Sequence, residues 1–397
     1  MAKLIEITGK TISGEWGFDD TEGIGIPVLR TTNFTNEGFI DYQNVVTRII
    51  KKQNISEKFL RSGDIIIEKS GGSDKQPVGR VVYYDGPDNT YLFNNFTGVL
   101  RVKDPSKWYP KYIFYALFTN YWRGGTRRFE NKTTGLHNLK TDDYVARFGI
   151  AEIPLDQQIC ICNTLDKIHL LIGSRKKQLT KMDDLIKSRF VEMFGNPVAN
   201  EKGWEISLCK NLMSKIGSGA TPKGGKESYC DEGISLIRSM NVYNNRFEYK
   251  DLAHITDDQA GQLENVTIEK KDVLLNITGA SVARCCVVPD DLLPARVNQH
   301  VSIIRCKERI LPEFLCCMFT EDNYQRLLWN IATAGGATRE AITKQQIEEL
   351  MLIVPPIDLQ RQYITFVKRI DKSKSAVQAA LDKTQLLFDS LMQEYFG

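Results

Sequence analysis

The sequence has 397 residues, a length that usually divides into more than one domain. Its 42% hydrophobic and 25% charged residues are typical of a globular protein, and no run of about 18 apolar residues occurs that could span a membrane. The net charge of +3 does not by itself indicate a nucleic-acid-binding protein, although a local basic face would be enough to contact phosphates.

The first residues and the cysteines favour a cytoplasmic location. Residues 1–10 lack the apolar core of a signal peptide. The nine cysteines include no CxxC pair and the four histidines are scattered, so the sequence predicts no metal site. Reduced thiols, buried or half-buried, are therefore expected.

Residues 1–152 predict a first β-rich domain. Short β-branched runs alternate with Gly, Asn and Asp, and a helix is expected near Tyr112–Asn120. The loops at 69–75 and 122–135 combine glycine, cationic side chains and hydroxyls. Such loops suit phosphate contact, although any one of them alone is more often a plain solvated loop.

Residues 153–195 predict one long helix. Its apolar residues follow the alternating 4–3 spacing of a coiled-coil seam, which includes Ile168, Ile172, Leu179 and Ile186. A proline before the run and a glycine at its end mark the boundaries. The helix would run for about 38 residues, or about 57 Å at about 1.5 Å per residue.

Residues 196–354 predict a second β-rich domain, with helical structure near Pro312–Leu328, that echoes the first. Residues 25–33 resemble 233–241, and residues 63–67 resemble 271–275. Loops of the same chemistry recur at 221–226, 278–284 and 334–339. This recurrence favours binding over the solvated-loop interpretation.

Residues 355–397 repeat residues 153–195 without a gap, so that Gln360 matches Gln158. The second seam includes Ile370, Val377, Leu381 and Phe388. Two unrelated amphipathic helices are the alternative, which the gapless match disfavours. The sequence therefore predicts an α+β protein in which two pseudo-repeated β-rich domains are separated by two long helices that form an antiparallel coiled coil.

The candidate phosphate-contacting residues are the basic and hydroxyl side chains of the recurring loops. In the first domain they are Lys69, Ser70, Ser73, Lys75, Arg80, Arg123, Arg127, Arg128, Lys132 and Thr134. In the second domain they are Thr221, Lys223, Lys226, Thr278, Ser281, Arg284, Thr338 and Arg339.

Catalytic motifs are not evident. Residues 219–226 look at first like a phosphate-binding loop, but the lysine follows a doubled glycine, Glu227 replaces the metal-binding hydroxyl and no apolar strand is expected before the loop. The strings at 196–199 and 354–357 lack the aromatic residue of an adenine methyltransferase motif, and hydrolase and metalloprotease motifs are missing. The chain is predicted to catalyse nothing itself.

Several strings together resemble one family, the specificity subunits of type I restriction–modification systems. Residues 193–205 resemble the exit from that family's first conserved helix into its second target-recognition domain. Residues 153–158 and 355–360 resemble the start of each conserved helix, and residues 336–339 resemble a small-residue loop that closes a recognition domain. The resemblance makes 1–152 and 196–354 target-recognition domains 1 and 2, and 153–195 and 355–397 conserved spacer helices 1 and 2.

The resemblance also implies a mechanism. Each recognition domain would read a few base pairs of double-stranded DNA through the major groove, where every base pair presents a distinct pattern. The helices would fix the distance between two half-sites and dock two methyltransferase (modification) subunits, which restriction/translocase subunits would join. S-adenosylmethionine, ATP and Mg²⁺ would belong to those partners, in a complex that methylates adenine N6 and cleaves DNA with ATP, so no cofactor is expected on this chain.

Three alternatives compete with this interpretation. A coiled-coil scaffold that binds only proteins would explain the helices but not two β-rich domains with matched loops. A self-sufficient enzyme with an unfamiliar site would need motifs that the sequence lacks. A silent or orphan specificity subunit has the same sequence features as a working one.

Overall fold

The structure, a computed structural model, describes residues 1–133, 136–221, 225–334 and 340–397. The chain divides into unit 1, Met1–Lys176 with Ala379–Gly397, and unit 2, Lys177–Gln378. Each unit therefore contains one β-rich domain together with parts of two long helices. Within the described residues, no helix is both long enough and apolar enough to cross a membrane.

Unit 1 is built from short strands and short helices that precede the first long helix. Its strands are β1 (Ala2–Lys3), β2 (Ile12–Ser13), β3 (Phe18–Asp19), β4 (Ile26–Leu29), β5 (Val46–Ile49), β6 (Ile65–Glu68), β7 (Ser70–Gly72), β8 (Val81–Tyr83), β9 (Leu92–Phe93), β10 (Thr97–Leu100), β11 (Glu130–Thr133), β12 (Leu136–Leu139) and β13 (Gly149–Ile150). Its helices are α1 (Leu4–Thr8), α2 (Pro110–Trp122), α3 (Thr141–Arg147) and the first part of α4 (Leu155–Phe194).

Unit 2 continues from α4 with the same kinds of element. Its strands are β14 (Ile206–Leu208), β15 (Met213–Ser218), β16 (Ile234–Ile237), β17 (Val242–Tyr243), β18 (Arg246–Phe247), β19 (Ala253–Ile255), β20 (Val273–Asn276), β21 (Cys285–Val287), β22 (Ala295–Val297), β23 (Val301–Cys306) and β24 (Met351–Ile353). Its helices are α5 (Cys209–Leu212), α6 (Asp257–Gln262), α7 (Pro312–Phe319), α8 (Asp322–Thr333), α9 (Lys344–Glu348) and the first part of α10 (Ile357–Phe396), which ends in unit 1.

The two β-rich domains share one plan of sheets. The antiparallel order β2-β10-β6-β8 in unit 1 corresponds to β15-β23-β20-β21 in unit 2. The order β5-β4-β9 corresponds to β19-β16-β22, and the last pair of each of these is parallel. Strand β1 pairs with β13 as β14 pairs with β24, which joins the start of each domain to its end. The repeat seen in the sequence is thus a repeat of topology.

A buried arginine–aspartate pair recurs in the four-stranded sheet of each unit. Arg101 Nε and Nη2 donate to the Asp64 carboxylate at 2.7 and 2.6 Å, and Arg305 Nε and Nη2 donate to Asp272 at 2.8 and 2.9 Å. Both carboxylates are buried. These hydrogen bonds raise the pKa of each arginine above its usual value, so each guanidinium stays charged.

The long helices pack against each other in opposite directions within each unit. In unit 1 the His169 ring lies 5.6 Å from the Phe388 ring, and Arg175 Nη1 donates to the Ala380 carbonyl at 2.5 Å. Residues later in α4 thus contact residues earlier in α10, which makes the two helices antiparallel. In unit 2, Phe190 and Asp183 of α4 likewise meet Tyr363 and Lys374 of α10.

The structure removes the predicted seam residues from full contact with solvent. The predicted seam residues are all buried or half-buried: Ile168, Ile172, Leu179, Ile186, Ile370, Val377, Leu381 and Phe388. Because α4 and α10 pack antiparallel and β-rich domains with matched sheets precede each of them, the predicted fold class is confirmed.

A buried glutamine ties the start of each long helix to its own domain. Gln158 accepts a hydrogen bond from the Tyr109 N–H at 2.9 Å and donates to the carbonyls of Lys107 and Ile153. Gln360 makes the same three bonds, to the Leu311 N–H at 2.9 Å and to the carbonyls of Arg309 and Pro355. Since both side chains are fully buried, the match of Gln158 to Gln360 in the sequence reflects one repeated hydrogen-bonding role.

Candidate nucleic-acid interface

In unit 2 one turn contacts several candidate loops that lie far apart in the sequence. The turn Asn298–His300 connects β22 to β23. Thr221 Oγ1 donates to Gln299 Oε1, Gln299 Nε2 lies 3.2 Å from His300 Nε2, and His300 Nδ1 shares a hydrogen bond of 2.6 Å with Thr278 Oγ1. The candidates Thr221 and Thr278 therefore belong to one hydrogen-bonded chain with the turn between them.

Backbone contacts join a further loop to the same turn. The Ile277 N–H donates to the His300 carbonyl at 3.0 Å, and the Gly279 N–H donates to the Glu340 carbonyl at 2.9 Å. Glu340 directly follows residues 335–339, which lie outside the described residues. Candidate Ser281 lies in the short 3₁₀ turn Gly279–Ser281 beside this contact.

Unit 1 builds the corresponding turn, Asn94–Phe96, between β9 and β10. The Phe96 carbonyl accepts hydrogen bonds from the N–H groups of Lys69 and Ser70, at 2.8 and 3.3 Å. Strand β7, which contains Ser70, pairs with β12 and through it with β11. The 69–75 loop therefore contacts this turn directly, and the 122–135 loop is connected to it through the β7–β12–β11 sheet. The Phe96 side chain is 52% exposed there.

The two turns are supported by equivalent buried asparagines and equivalent glycines. Asn94 and Asn298, the first residue of each turn, are buried, and each side-chain oxygen accepts a hydrogen bond from within its own turn or the strand that follows. Gly14 and Gly219 lie directly against the backbone of the preceding strand ends, so that a side chain at either position would overlap a backbone carbonyl. What differs is the surface: Asn95 and Phe96 in unit 1 stand where Gln299 and His300 stand in unit 2.

The candidates Arg80 and Arg284 are equivalent in the backbone but not in their side chains. The Glu68 N–H donates to the Arg80 carbonyl just as the Asn276 N–H donates to the Arg284 carbonyl, both at 2.8 Å. The Arg80 guanidinium donates to the carbonyls of Thr31 and Phe34 at 2.9 and 3.2 Å, and lies 3.7 Å from the Glu68 carboxylate. Arg80 is therefore engaged inside the domain.

In unit 2 the two equivalent carbonyls, those of Ser239 and Val242, accept hydrogen bonds from a different side chain. Asn276 Nδ2 donates to the carbonyls of Ser239 and Val242 at 2.8 and 3.4 Å. The Arg284 guanidinium instead lies over the Tyr243 ring at 4.7 Å, and the Arg246 guanidinium lies 4.9 Å from the same ring. The geometry favours a structural role for Arg80, whereas the side chain of the half-buried Arg284 contacts an aromatic ring.

We expect Arg80→Ala to destabilise unit 1 by about 2 kcal/mol, because it leaves two carbonyls without their donor and a buried Glu68 without its counter-charge. Arg284→Ala should cost less than about 1 kcal/mol, since it removes only a cation–π contact. Glu68→Asn combined with Arg80→Ala should recover part of the loss, because an asparagine has this role in unit 2. Urea unfolding of the three variants measures the differences; equal losses for the two single arginine variants would contradict the assignment.

The remaining candidates fall into four groups. Exposed side chains in unit 1 are Ser73, Lys75, Arg123, Arg127 and Arg128, and of these Arg127 also donates to the Asp74 carbonyl at 3.3 Å. Lys69 is half-buried, and burial lowers the pKa of its ammonium group. Lys132 lies on β11 and Lys226 lies in the 3₁₀ turn Gly225–Ser228, whereas Thr134, Lys223, Thr338 and Arg339 lie outside the described residues.

Sequence reasoning missed the turn residues and one strand. Asn95, Phe96, Gln299 and His300 were not indicated, although the strings 94–101 and 298–305 stand at matching places, each ending in the arginine of a buried pair. A strand does precede residues 219–226, because β15 ends at Ser218, but it is not the apolar strand of a phosphate-binding loop, since only Met213 and Ile216 are buried in it.

Comparisons with known proteins agree with this architecture. A family model described as the type I restriction modification DNA specificity domain matches residues 1–181 and 201–384. A Methanocaldococcus jannaschii protein, provisionally named the type I restriction enzyme MjaX specificity subunit, is 22% identical over 393 residues, covering 91% of this chain and 85% of that protein. The type I restriction enzyme EcoBI specificity subunit of Escherichia coli is 21% identical over 231 residues, covering 55% of this chain and 46% of its own length.

Two solved structures share the fold. The crystal structure of a type I restriction–modification S subunit from M. genitalium matches with a TM-score of 0.60 at 14% identity, covering all (100%) of this chain and 95% of that one. A structure from work on complex assembly and conformational transition of the type I R-M system matches with a TM-score of 0.59 at 14% identity, with 100% and 96% coverage.

Proposed function

Because this chain belongs to the type I restriction–modification DNA specificity family, we propose that it reads a bipartite DNA target, with one recognition domain for each half-site. The observation that carries the proposal is that the candidate site occurs once in each unit. The two turns have the same supporting residues and each is joined to loops with basic and hydroxyl side chains, but the residues at the surface of the turns differ. A repeated support keeps the geometry of DNA contact constant, and different surface residues allow the two half-sites to differ in sequence.

The long helices would separate the half-sites. Each has 40 residues, which at about 1.5 Å per residue is about 60 Å of helix. A fixed protein spacing requires a fixed spacing of half-sites on the DNA. The target would therefore be two short sequences flanking a gap of constant length that is not read.

The same helices would dock two copies of a methyltransferase (modification) subunit. In unit 1 the leucines that flank the seam or face away from it remain exposed: Leu170 by 72%, Leu171 by 51%, Leu386 by 69% and Leu387 by 50%. Exposed leucines on both of the paired helices favour a protein partner. Restriction/translocase subunits would join that assembly in the cytoplasm. S-adenosylmethionine, ATP and Mg²⁺ would bind to the partners, and this chain would catalyse no step.

Selection from a library of randomised DNA duplexes tests the reading function. The chain, purified with its methyltransferase subunit, should enrich duplexes that carry two short blocks at one fixed separation. Binding should weaken steeply as salt rises, because phosphate contacts release counterions. A protein-binding scaffold would enrich no sequence, and a silent subunit would co-purify with its partner without enriching one; either result would overturn the proposal.

A further inference from the structure

The two turns that collect the candidate loops differ at one position in chemical kind. Phe96 and His300 are the last residues of their turns, and the carbonyl of each accepts a hydrogen bond from the strand end that leads into the 69–75 or 278–284 loop. The residue before each is an exposed carboxamide, Asn95 or Gln299. The main difference at the surface is therefore an apolar ring in unit 1 and an imidazole in unit 2.

The Phe96 ring is exposed without an evident structural need. Its side chain is 52% accessible, whereas the next strand, β10, is buried throughout. A phenylalanine that served only the core would place its ring inside, and exposing it to water costs free energy. Its neighbours Lys69 and Ser70 are candidate DNA contacts, held to it through the backbone. An exposed aromatic ring among such groups favours contact with an apolar part of the nucleic acid.

The His300 side chain, unlike the apolar Phe96 ring, is polar and hydrogen-bonded. Its two ring nitrogens lie within hydrogen-bonding distance of Thr278 Oγ1 and Gln299 Nε2, and Thr221 donates to the same glutamine. This network uses both ring nitrogens of His300 and fixes the orientation of the exposed Gln299 carboxamide. A carboxamide has a second N–H and a second lone pair on its oxygen, and these can hydrogen-bond to a base, with adenine as the best match.

We propose that the last turn residue determines the base preference of each half-site: Phe96 selects a base bearing a methyl group, thymine, and His300 selects a base through the hydrogen bonds of the Gln299 carboxamide that it orients. In the major groove the thymine C5 methyl is the main apolar group, and phenylalanine is among the side chains that contact it. The inference rests on the proposed function, because it concerns DNA bound by these domains.

The turns are suited to this role because they are rigid. Buried Asn94 and Asn298 brace them from within, and Gly14 and Gly219 allow neighbouring backbone to lie directly against them. A residue on a rigid support can discriminate between bases, because it is unable to move to accommodate the wrong one. Exchange of a single side chain should therefore alter the preference without altering the support.

Reciprocal exchange tests the proposal. The wild-type chain, Phe96→His and His300→Phe are each co-expressed with the methyltransferase subunit, and the methylated motif is mapped for each. We expect Phe96→His to change one half-site and His300→Phe to change the other, with the gap length unchanged in both. Phe18→His is the matched control, since Phe18 is an equally exposed phenylalanine of unit 1, at 59%, outside the turn; it should leave the motif intact.

Thymine-to-uracil substitution in the mapped target provides the second measurement. Removing one methyl group at the contacted position should weaken binding of the wild-type complex about four-fold, the effect of one buried methyl. Phe96→Ala should bind both duplexes equally. An unchanged motif in an assembled, active Phe96→His complex, or uracil sensitivity that persists in Phe96→Ala, would overturn this inference and leave the proposed function standing. Absence of any motif for the wild-type complex would instead overturn the proposed function.

Discussion

Phe388→Asp is expected to abolish assembly with the methyltransferase subunit. The Phe388 side chain is 5% exposed and its ring packs on His169 of the opposite helix. A carboxylate there would be buried without a partner, which costs several kcal/mol, so the helix pair in unit 1 should separate. The partner would then lose the paired surface on which we propose that it docks.

Two neighbouring substitutions separate helix pairing from docking. Leu387→Asp changes a side chain that is half exposed, so the helices should remain paired, with unchanged helical content, while partner affinity falls. Gln393→Asp alters an exposed polar residue of the same helix and should change neither property. Co-purification and circular dichroism measure the two properties. A Phe388→Asp chain that assembles as well as the wild type would contradict the role given to the seam.

Arg305→Met is expected to destabilise unit 2 by about 3 kcal/mol. It removes both side-chain donors from Asp272, whose carboxylate is fully buried and would keep only the Glu269 N–H at 2.7 Å. An uncompensated buried carboxylate costs about 3–5 kcal/mol, and the partial exposure of the arginine favours the lower end.

Hydrogen–deuterium exchange measures this loss within the unit that carries it. Protection should fall in peptides of β20 and β23 for Arg305→Met, and in β6 and β10 for the matched Arg101→Met. Arg305→Met combined with Asp272→Leu should recover much of the loss, because an apolar pair leaves no buried charge. A double variant as unstable as the single one would show that the loss came from packing.

The helices and the fold class were predictable because their signals are local and repeated. A seam such as Leu381–Phe388 is visible as spacing alone, and its second copy confirms the register. The match of Gln158 to Gln360 is likewise visible in the sequence, and the two side chains make equivalent hydrogen bonds. The echo of short strings between the two β-rich domains was enough to predict that they share a fold.

The roles of individual site residues were not predictable in the same way. Arg80 and Arg284 each directly precede a strand at equivalent positions. The two equivalent carbonyls, however, accept hydrogen bonds from Arg80 in unit 1 and from Asn276 in unit 2, and this choice depends on side chains that the sheet brings together. His300 looked like one of four scattered histidines until the turn placed it beside Thr278. Sequence spacing indicates which loops recur, whereas contact between loops distant in the chain is decided by tertiary structure.

Genome-wide mapping of N6-methyladenine tests the central claim most directly. A host that expresses this chain with its methyltransferase subunit is compared with a host that expresses the methyltransferase subunit alone. We predict a split motif with a constant unread gap that appears only when the chain is present. Identical methylation in the two hosts, although the two proteins co-purify, would contradict the claim that this chain directs the complex to its DNA target.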